Sequence, residues 1–280
     1  MMNIEHILSI VNVTCVELSS RYRAEIDAMH FGILGPLEAR HQDSAVPVGG
    51  AKRRALLIAL LANANRNVPV ERLMLWMWPD ETPPRSAPLV IQAHVSALRQ
   101  ALEPDRQPRA EPRVLHTTPG GYLMVLNQDE LDVLEFEALM GSASQCLQRD
   151  EVEDASKLLR EALSLWRGAP LADVHDVEVA RGEVTRLEEL RLTALAQYFE
   201  TGLRLGRYLE VIPQLTVLIG EFPYHERFYT QLMIALAGCG RRAEALAVYR
   251  RAHRLLTDEL GVEPGPELRA MEAAILQGDA

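Results

Sequence analysis

The most constraining pattern in this chain lies between residues 87 and 126. Ile91, Val95, Leu98 and Leu102 fall at i, i+4, i+7 and i+11, so a helix turning by about 100° per residue stacks all four on one face. Ser86 stands at the N-cap position, and Pro88 fits a first turn whose N–H groups lack helical partners anyway. About a quarter turn from the apolar stripe, Arg85, Gln92, Ser96, Arg99 and Glu103 project together. Residues 113–126 then read as a hairpin with Pro119-Gly120-Gly121 at its tip. A helix with a hydrogen-bonding face suits the major groove of a duplex, and a ribbon beside it suits the neighbouring backbone. An ordinary solvated helix would carry the same polar face, so the neighbouring segments decide between the two.

Residues 51–64 predict a helix with Leu57, Leu60, Leu61 and Ala64 inward and Lys52-Arg53-Arg54 at its start. Cations there oppose the helix dipole, which points to an anionic neighbour such as phosphate, with a solvated basic cluster as the alternative. Residues 70–78 predict a second, short helix between Asn65-Arg66-Asn67 and Pro79. On so short a helix, Trp76 and Trp78 read as core anchors. Upstream, Phe31-Gly32-Ile33-Leu34 reads as the first strand.

A pI near 5.4 and a net charge of −10 argue against nucleic acid only while the chain is averaged. Residues 30–127 hold eleven Lys plus Arg against eight Asp plus Glu, whereas residues 128–280 hold sixteen against twenty-seven. A duplex feels the local patch within a Debye length of about 8 Å, and the front third is net basic. No apolar run approaches the roughly 18 residues of a membrane span. Residues 1–28 carry an apolar patch at 7–16 without a basic leader or cleavage site, so they read as an extension and not a signal peptide. Three cysteines, Cys15, Cys146 and Cys239, show no metal spacing and fit a reducing cytoplasm.

Beyond residue 127 every segment predicts helix: 131–148, 151–166, 177–205, 208–221, 224–238, 242–260 and 267–276, separated by Gly and Pro signals. Gly206-Arg207-Tyr208-Leu209-Glu210 recurs as Gly240-Arg241-Arg242-Ala243-Glu244, an offset of 34 residues. That is the tetratricopeptide period, in which paired antiparallel helices stack. The fold class expected is mainly α: an N-terminal winged helix-turn-helix of α+β type over 29–127, then an all-α, tetratricopeptide-like domain over 128–280.

The front block resembles the OmpR-type winged helix in Lys52-Arg53-Arg54-Ala55-Leu56-Leu57, Trp78-Pro79, the His94-to-Pro104 string and Gly120-Gly121-Tyr122. The rear block is similar to the bacterial transcriptional activation domain in Leu163-x-Leu165-Trp166-Arg167-Gly168-x-Pro170-Leu171, Arg186-Leu187-Glu188-Glu189-x-Arg191 and Gly240-Arg241-x-x-Glu244-Ala245-Leu246-x-x-Tyr249. In that order the two blocks resemble the Streptomyces antibiotic regulatory protein family over about residues 30–278. The resemblance implies a cytoplasmic activator of a secondary-metabolite gene cluster. Its implied partners are promoter direct repeats, a second protomer on DNA, and RNA polymerase with its σ subunit. It also implies phosphate contacts from His94 and Arg99, base contacts beside them from Gln92 and Ser96, and an Ala97 that reaches at most a thymine methyl. Thr117 and Thr118 lead into the tip, where Gly120, Gly121 and Tyr122 are expected to meet the backbone. With Lys52, Arg53, Arg54 and Arg85 these residues make up the expected interface. A buried structural role for His94 remains open, because it borders the apolar stripe.

Enzyme readings find little support. Val48-Gly49-Gly50-Ala51-Lys52-Arg53 lacks the Gly-Lys-Ser/Thr ending of a P-loop, and His225-Glu226-Arg227-Phe228-Tyr229 lacks the second histidine of a zinc-protease helix. No cofactor or metal is expected. Two readings of other classes stay open, a peptide-binding adaptor built on the repeat and a ligand-gated repressor. No receiver, ATPase or phosphopeptide-binding module is expected after the repeats.

Overall fold

The computed structural model describes residues 29–41, 44–78, 82–107, 109–174 and 178–278. The chain is mainly helical, with small antiparallel sheets in its front third and helices alone afterwards. Two compact units emerge. One comprises the described residues up to Ala138 together with Leu165–Glu188; the other comprises Leu139–Ser164 and the described part of Glu189–Ala280. Residue 127, the expected boundary, therefore lies inside the first unit. The extension expected over 1–28 lies outside the described residues, as do Pro79 and Val177.

The first unit opens with β1 (Met29–Gly32), β2 (Glu38–His41) and β3 (Ser44–Ala45), an antiparallel sheet in which Phe31 lies opposite Ala39. β1 stops short of the expected Ile33 and Leu34 because a side chain takes over their backbone donors. Their N–H groups donate to the Asp132 carboxylate, each at 2.9 Å. Burial pushes the Asp132 pKa up, against the opposing pull of those two N–H groups and of the Arg167 guanidinium at 3.1 Å. Arg167 also pairs with Glu38 at 2.7 Å, and its backbone N–H donates to Leu34 O at 2.8 Å. Leu171 N–H donates to Gly35 O at 2.6 Å, and the Trp166 ring meets Phe136 edge-on at 5.5 Å. The distinctive 163–171 string thus supplies the contacts that draw Leu165–Glu188 into the first unit.

Next come α1 (Ala51–Leu61), β4 (Asn67–Pro69), α2 (Val70–Met77), α3 (Ala87–Leu102), β5 (Leu115–Thr118) and β6 (Gly121–Met124). The second sheet has the order β4-β6-β5, all antiparallel. α1 ends three residues before the expected Ala64. Asn65 there takes a left-handed backbone at φ 62°, which asparagine tolerates, and its amide group brackets Leu126 with bonds of 2.9 and 3.0 Å. β4 was not expected: it is three residues long, ends in proline, and exists only by pairing with β6. Trp78 is buried as expected, whereas Trp76 is half-buried under the Arg72 guanidinium, 4.6 Å from the ring centre.

After a 3-10 turn at Gln128–Glu130, α4 (Asp132–Gln148) and α6 (Glu178–Arg204) contribute residues to both units. The second unit holds α5 (Val152–Ser164), α7 (Tyr208–Glu221), α8 (Glu226–Gly238), α9 (Arg242–Leu255) with a π turn at Leu256–Leu260, and α10 (Pro266–Gln277). Inward faces of α6, α7, α8, α9 and α10 form one apolar core around Phe199, Leu215, Phe228, Tyr229, Met233 and Ile275. The 34-residue repeat is visible in the backbone. Gly206 and Gly240 turn left-handed at φ 69° and 75°, and the next residues close the same loop, Arg207 N–H to Gly202 O at 2.9 Å and Arg241 N–H to Leu236 O at 2.8 Å. Cys146 is buried and Cys239 half-buried, both as free thiols. Among the described residues no helix is long and apolar enough to cross a membrane, and no cluster has the donor set of a metal site.

Candidate nucleic-acid interface

Each element of the candidate interface is anchored by the core beneath it. Ile91, Val95, Leu98 and Leu102 are all buried, so the counted stripe fixes the rotation of α3 and turns its opposite face outward. Ser86 sits at the N-cap but makes no side-chain cap hydrogen bond there; Pro88 occupies the first turn as expected. Gln92 and Ser96 are exposed, and so are Ala93 and Gln100 on the same outer surface. Arg85 is exposed in the turn before the helix.

The basic start of α1 is less free than its sequence implied. Arg54 is paired with Asp173. Burial works against ionisation of Asp173, yet the Leu37 N–H at 2.8 Å and Arg54 hold its carboxyl below the usual range. Lys52 is exposed, with its ammonium 4.5 Å over the Trp78 ring, and Arg53 is half-buried against Gly49. The anion expected at this helix start is thus partly supplied from within the chain, by the carboxylate that Arg54 engages. His94 is half-buried, and its pKa is lowered first by burial and then by the charges of Arg53 and Lys52. His94 of α3 therefore lies within reach of the positive charges at the start of α1.

The ribbon departs furthest from expectation. Arg99 donates from Nε to Leu115 O and from Nη2 to Thr117 Oγ1, each at 2.8 Å, so it is tied to β5. Thr117 remains exposed; Thr118 is half-buried and donates to Asn67 Oδ1. Gly120 forms the exposed tip at φ 77°. Gly121 and Tyr122 are buried, which removes both side-chain positions from the surface. A Cβ on Gly121 would come within 2.3 Å of Val68 O, so that glycine serves the close approach of β4. Asn67 is the participant that sequence reasoning missed: its short strand carried no recognisable pattern.

A three-helix core, an apolar-backed helix with a neutral polar face, and a glycine-tipped ribbon define a winged-helix regulator of transcription. The comparisons agree. Residues 48–124 match the family described as "Transcriptional regulatory protein, C terminal", and residues 131–276 match "Bacterial transcriptional activator domain". The regulatory protein DnrI of Streptomyces peucetius is 38% identical over 255 residues, which are 90% of this chain and 93% of that protein. The regulatory protein AfsR of Streptomyces coelicolor is 37% identical over 256 residues, 91% of this chain but 25% of AfsR. A solved structure titled "Mycobacterium tuberculosis EmbR in complex with low affinity phosphopeptide" superposes with a TM-score of 0.85 at 35% identity, covering 90% of this chain and 66% of that one. The chain belongs to the Streptomyces antibiotic regulatory protein family and is a transcriptional regulator.

Proposed function

We propose that this chain is a cytoplasmic, DNA-binding activator. The first unit holds promoter direct repeats as paired protomers, and the acidic helical part recruits RNA polymerase through σ and other surfaces. The gene cluster it switches on is proposed, by family membership, to make a secondary metabolite. The observation that carries this reading is the exposure of Gln92 and Ser96 on a helix whose opposite face is fully buried, beside the Lys52 and Arg53 cations and the half-buried His94 imidazole. Gln92 and Ser96 are the proposed base readers, at about 1–3 kcal/mol of discrimination for each good contact. Lys52, Arg53, His94 and Arg85 are the proposed phosphate contacts, joined by the Gly120 backbone, while the Thr117 hydroxyl is taken up by Arg99. In this proposal Arg54 and Arg99 hold the interface in place, as their partners imply, and residues 29–127 contain every group that touches the duplex. No catalytic step is assigned to the chain.

A gel-shift titration against promoters of the chain's own gene neighbourhood, at two salt concentrations, tests the first half. Sequence-dependent retardation that weakens steeply with salt is expected. Run-off transcription with purified polymerase tests the second half, with more transcript when the chain is added. Absence of retardation at any salt, with the repeat-bearing unit still binding peptides, would favour the adaptor reading; a fall in transcript would favour the repressor.

A further inference from the structure

We infer that Arg99 and Asn67 are positioning residues that turn the ribbon into a reader of duplex shape, an inference that rests on the function proposed above. Successive residues of a strand face opposite sides, and here both sides of the ribbon's end are held. On one side the single guanidinium of Arg99 grips Leu115 O and Thr117 Oγ1 at 2.8 Å each, tying β5 to α3 at two alternate residues. On the other, Thr118 donates to Asn67 Oδ1. Those two residues are not on neighbouring strands. In the order β4-β6-β5 the middle strand separates them, and Gly121 pairs with Pro69 on one flank and Thr118 on the other.

The missing side chain of Gly121 is what lets the bond cross. A Cβ there would stand 2.9 Å from Asn67 Oδ1 as well as 2.3 Å from Val68 O. The turn itself is tied a third time, since Gly120 O accepts the Val70 N–H at 3.0 Å at the start of α2. The tip is thereby held from α3, from β4 and from α2 at once.

A tip fixed in this way cannot slide to follow the duplex. The distance from the base edges under α3 to the backbone under Gly120 is set by the protein. A duplex whose groove width or bend does not match must deform, at a cost that depends on its sequence. Selectivity then arises at base pairs the ribbon never touches chemically. A loose ribbon would accept any shape there.

The test is selection from a pool of randomised duplexes with the full chain, read by sequencing, for wild type, Thr117→Val, Thr117→Ser and Asn67→Ala. Wild type is expected to show two blocks of preference, one under α3 and one flanking it under the ribbon. Thr117→Val keeps the side-chain shape but removes the acceptor for Arg99, and Asn67→Ala removes the second brace. Each should flatten the flanking block by about fivefold, the low end of what duplex deformation energies allow, and leave the α3 block intact. Thr117→Ser, which keeps the hydroxyl, should restore the flanking block. A merely structural loss would weaken both blocks together, and urea denaturation of each variant records that loss separately. A flanking block unchanged in both Thr117→Val and Asn67→Ala, a joint fall of both blocks, or a wild type without a flanking block would overturn the inference alone. A wild type that enriches no sequence at all would overturn the proposed function and this inference with it.

Discussion

At the scale of single residues, His94 is a group whose charge the proposed binding of a duplex should change. Burial, then Arg53 and Lys52, lower its pKa, so in the free chain it is neutral at pH 7. A phosphate beside it would favour the charged form. Binding should therefore take up a proton and tighten as the pH falls through about 6.5, and His94→Asn should flatten that dependence in a pH series of binding isotherms. The same shift acts oppositely on folding. A lowered histidine pKa leaves stability undiminished above about pH 6.5 and erodes it below, as the unfolded chain gains the proton more readily. The exposure of Gln92 and Ser96 was legible in the sequence, because a 3.6-residue period fixes both faces of a helix once one is apolar. The ties of Arg99 and Gly121 were not, because Leu115, Thr117 and Val68 lie 16, 18 and 53 residues away and no local pattern announces them.

At the scale of elements, the buried stripe of α3 is the platform on which the reading face rests. Leu98 is fully buried, so Leu98→Ala should cost about 2–5 kcal/mol in urea denaturation and abolish binding only to the extent that it unfolds the chain. In the second unit the two equivalent turns make a paired prediction. Gly206→Ala and Gly240→Ala each place a Cβ on a left-handed residue, with no neighbouring atom within 4 Å of it, so strain alone should cost about 1–2 kcal/mol each. Similar costs at both sites would mark them as copies of one repeat. The helices beyond residue 127 were read from periodicity to within two residues at most ends, and the repeat was visible at its glycines. β4 escaped because three residues ending in proline carry no period, and the Ile33 and Leu34 extension of β1 was overruled by a carboxylate 98 or more residues away.

At the scale of the whole molecule, the division of charge runs along the sequence while the division of packing cuts across it. The basic front and acidic rear were read directly from composition. The return of Leu165–Glu188 to the first unit was hidden, because it depends on Asp132, Arg167 and Asp173 meeting the loop after β1. Asp132→Ala removes the acceptor for two backbone donors and the partner of Arg167, so it should lower stability by about 2–4 kcal/mol in urea denaturation. Electrostatics makes a separate prediction for binding. Lys52→Ala should reduce the slope of log K against log salt by about 1, without changing which sequence is preferred.

The most direct measurement is site-specific photo-cross-linking of the full chain to its selected duplex. A photoreactive amino acid would replace in turn Gln92, Ser96 and, as a control on the second unit, the exposed Leu209. Cross-links to bases from positions 92 and 96, with none from 209, are the result predicted. Cross-links from 209 while 92 and 96 stay silent would contradict the account at its root.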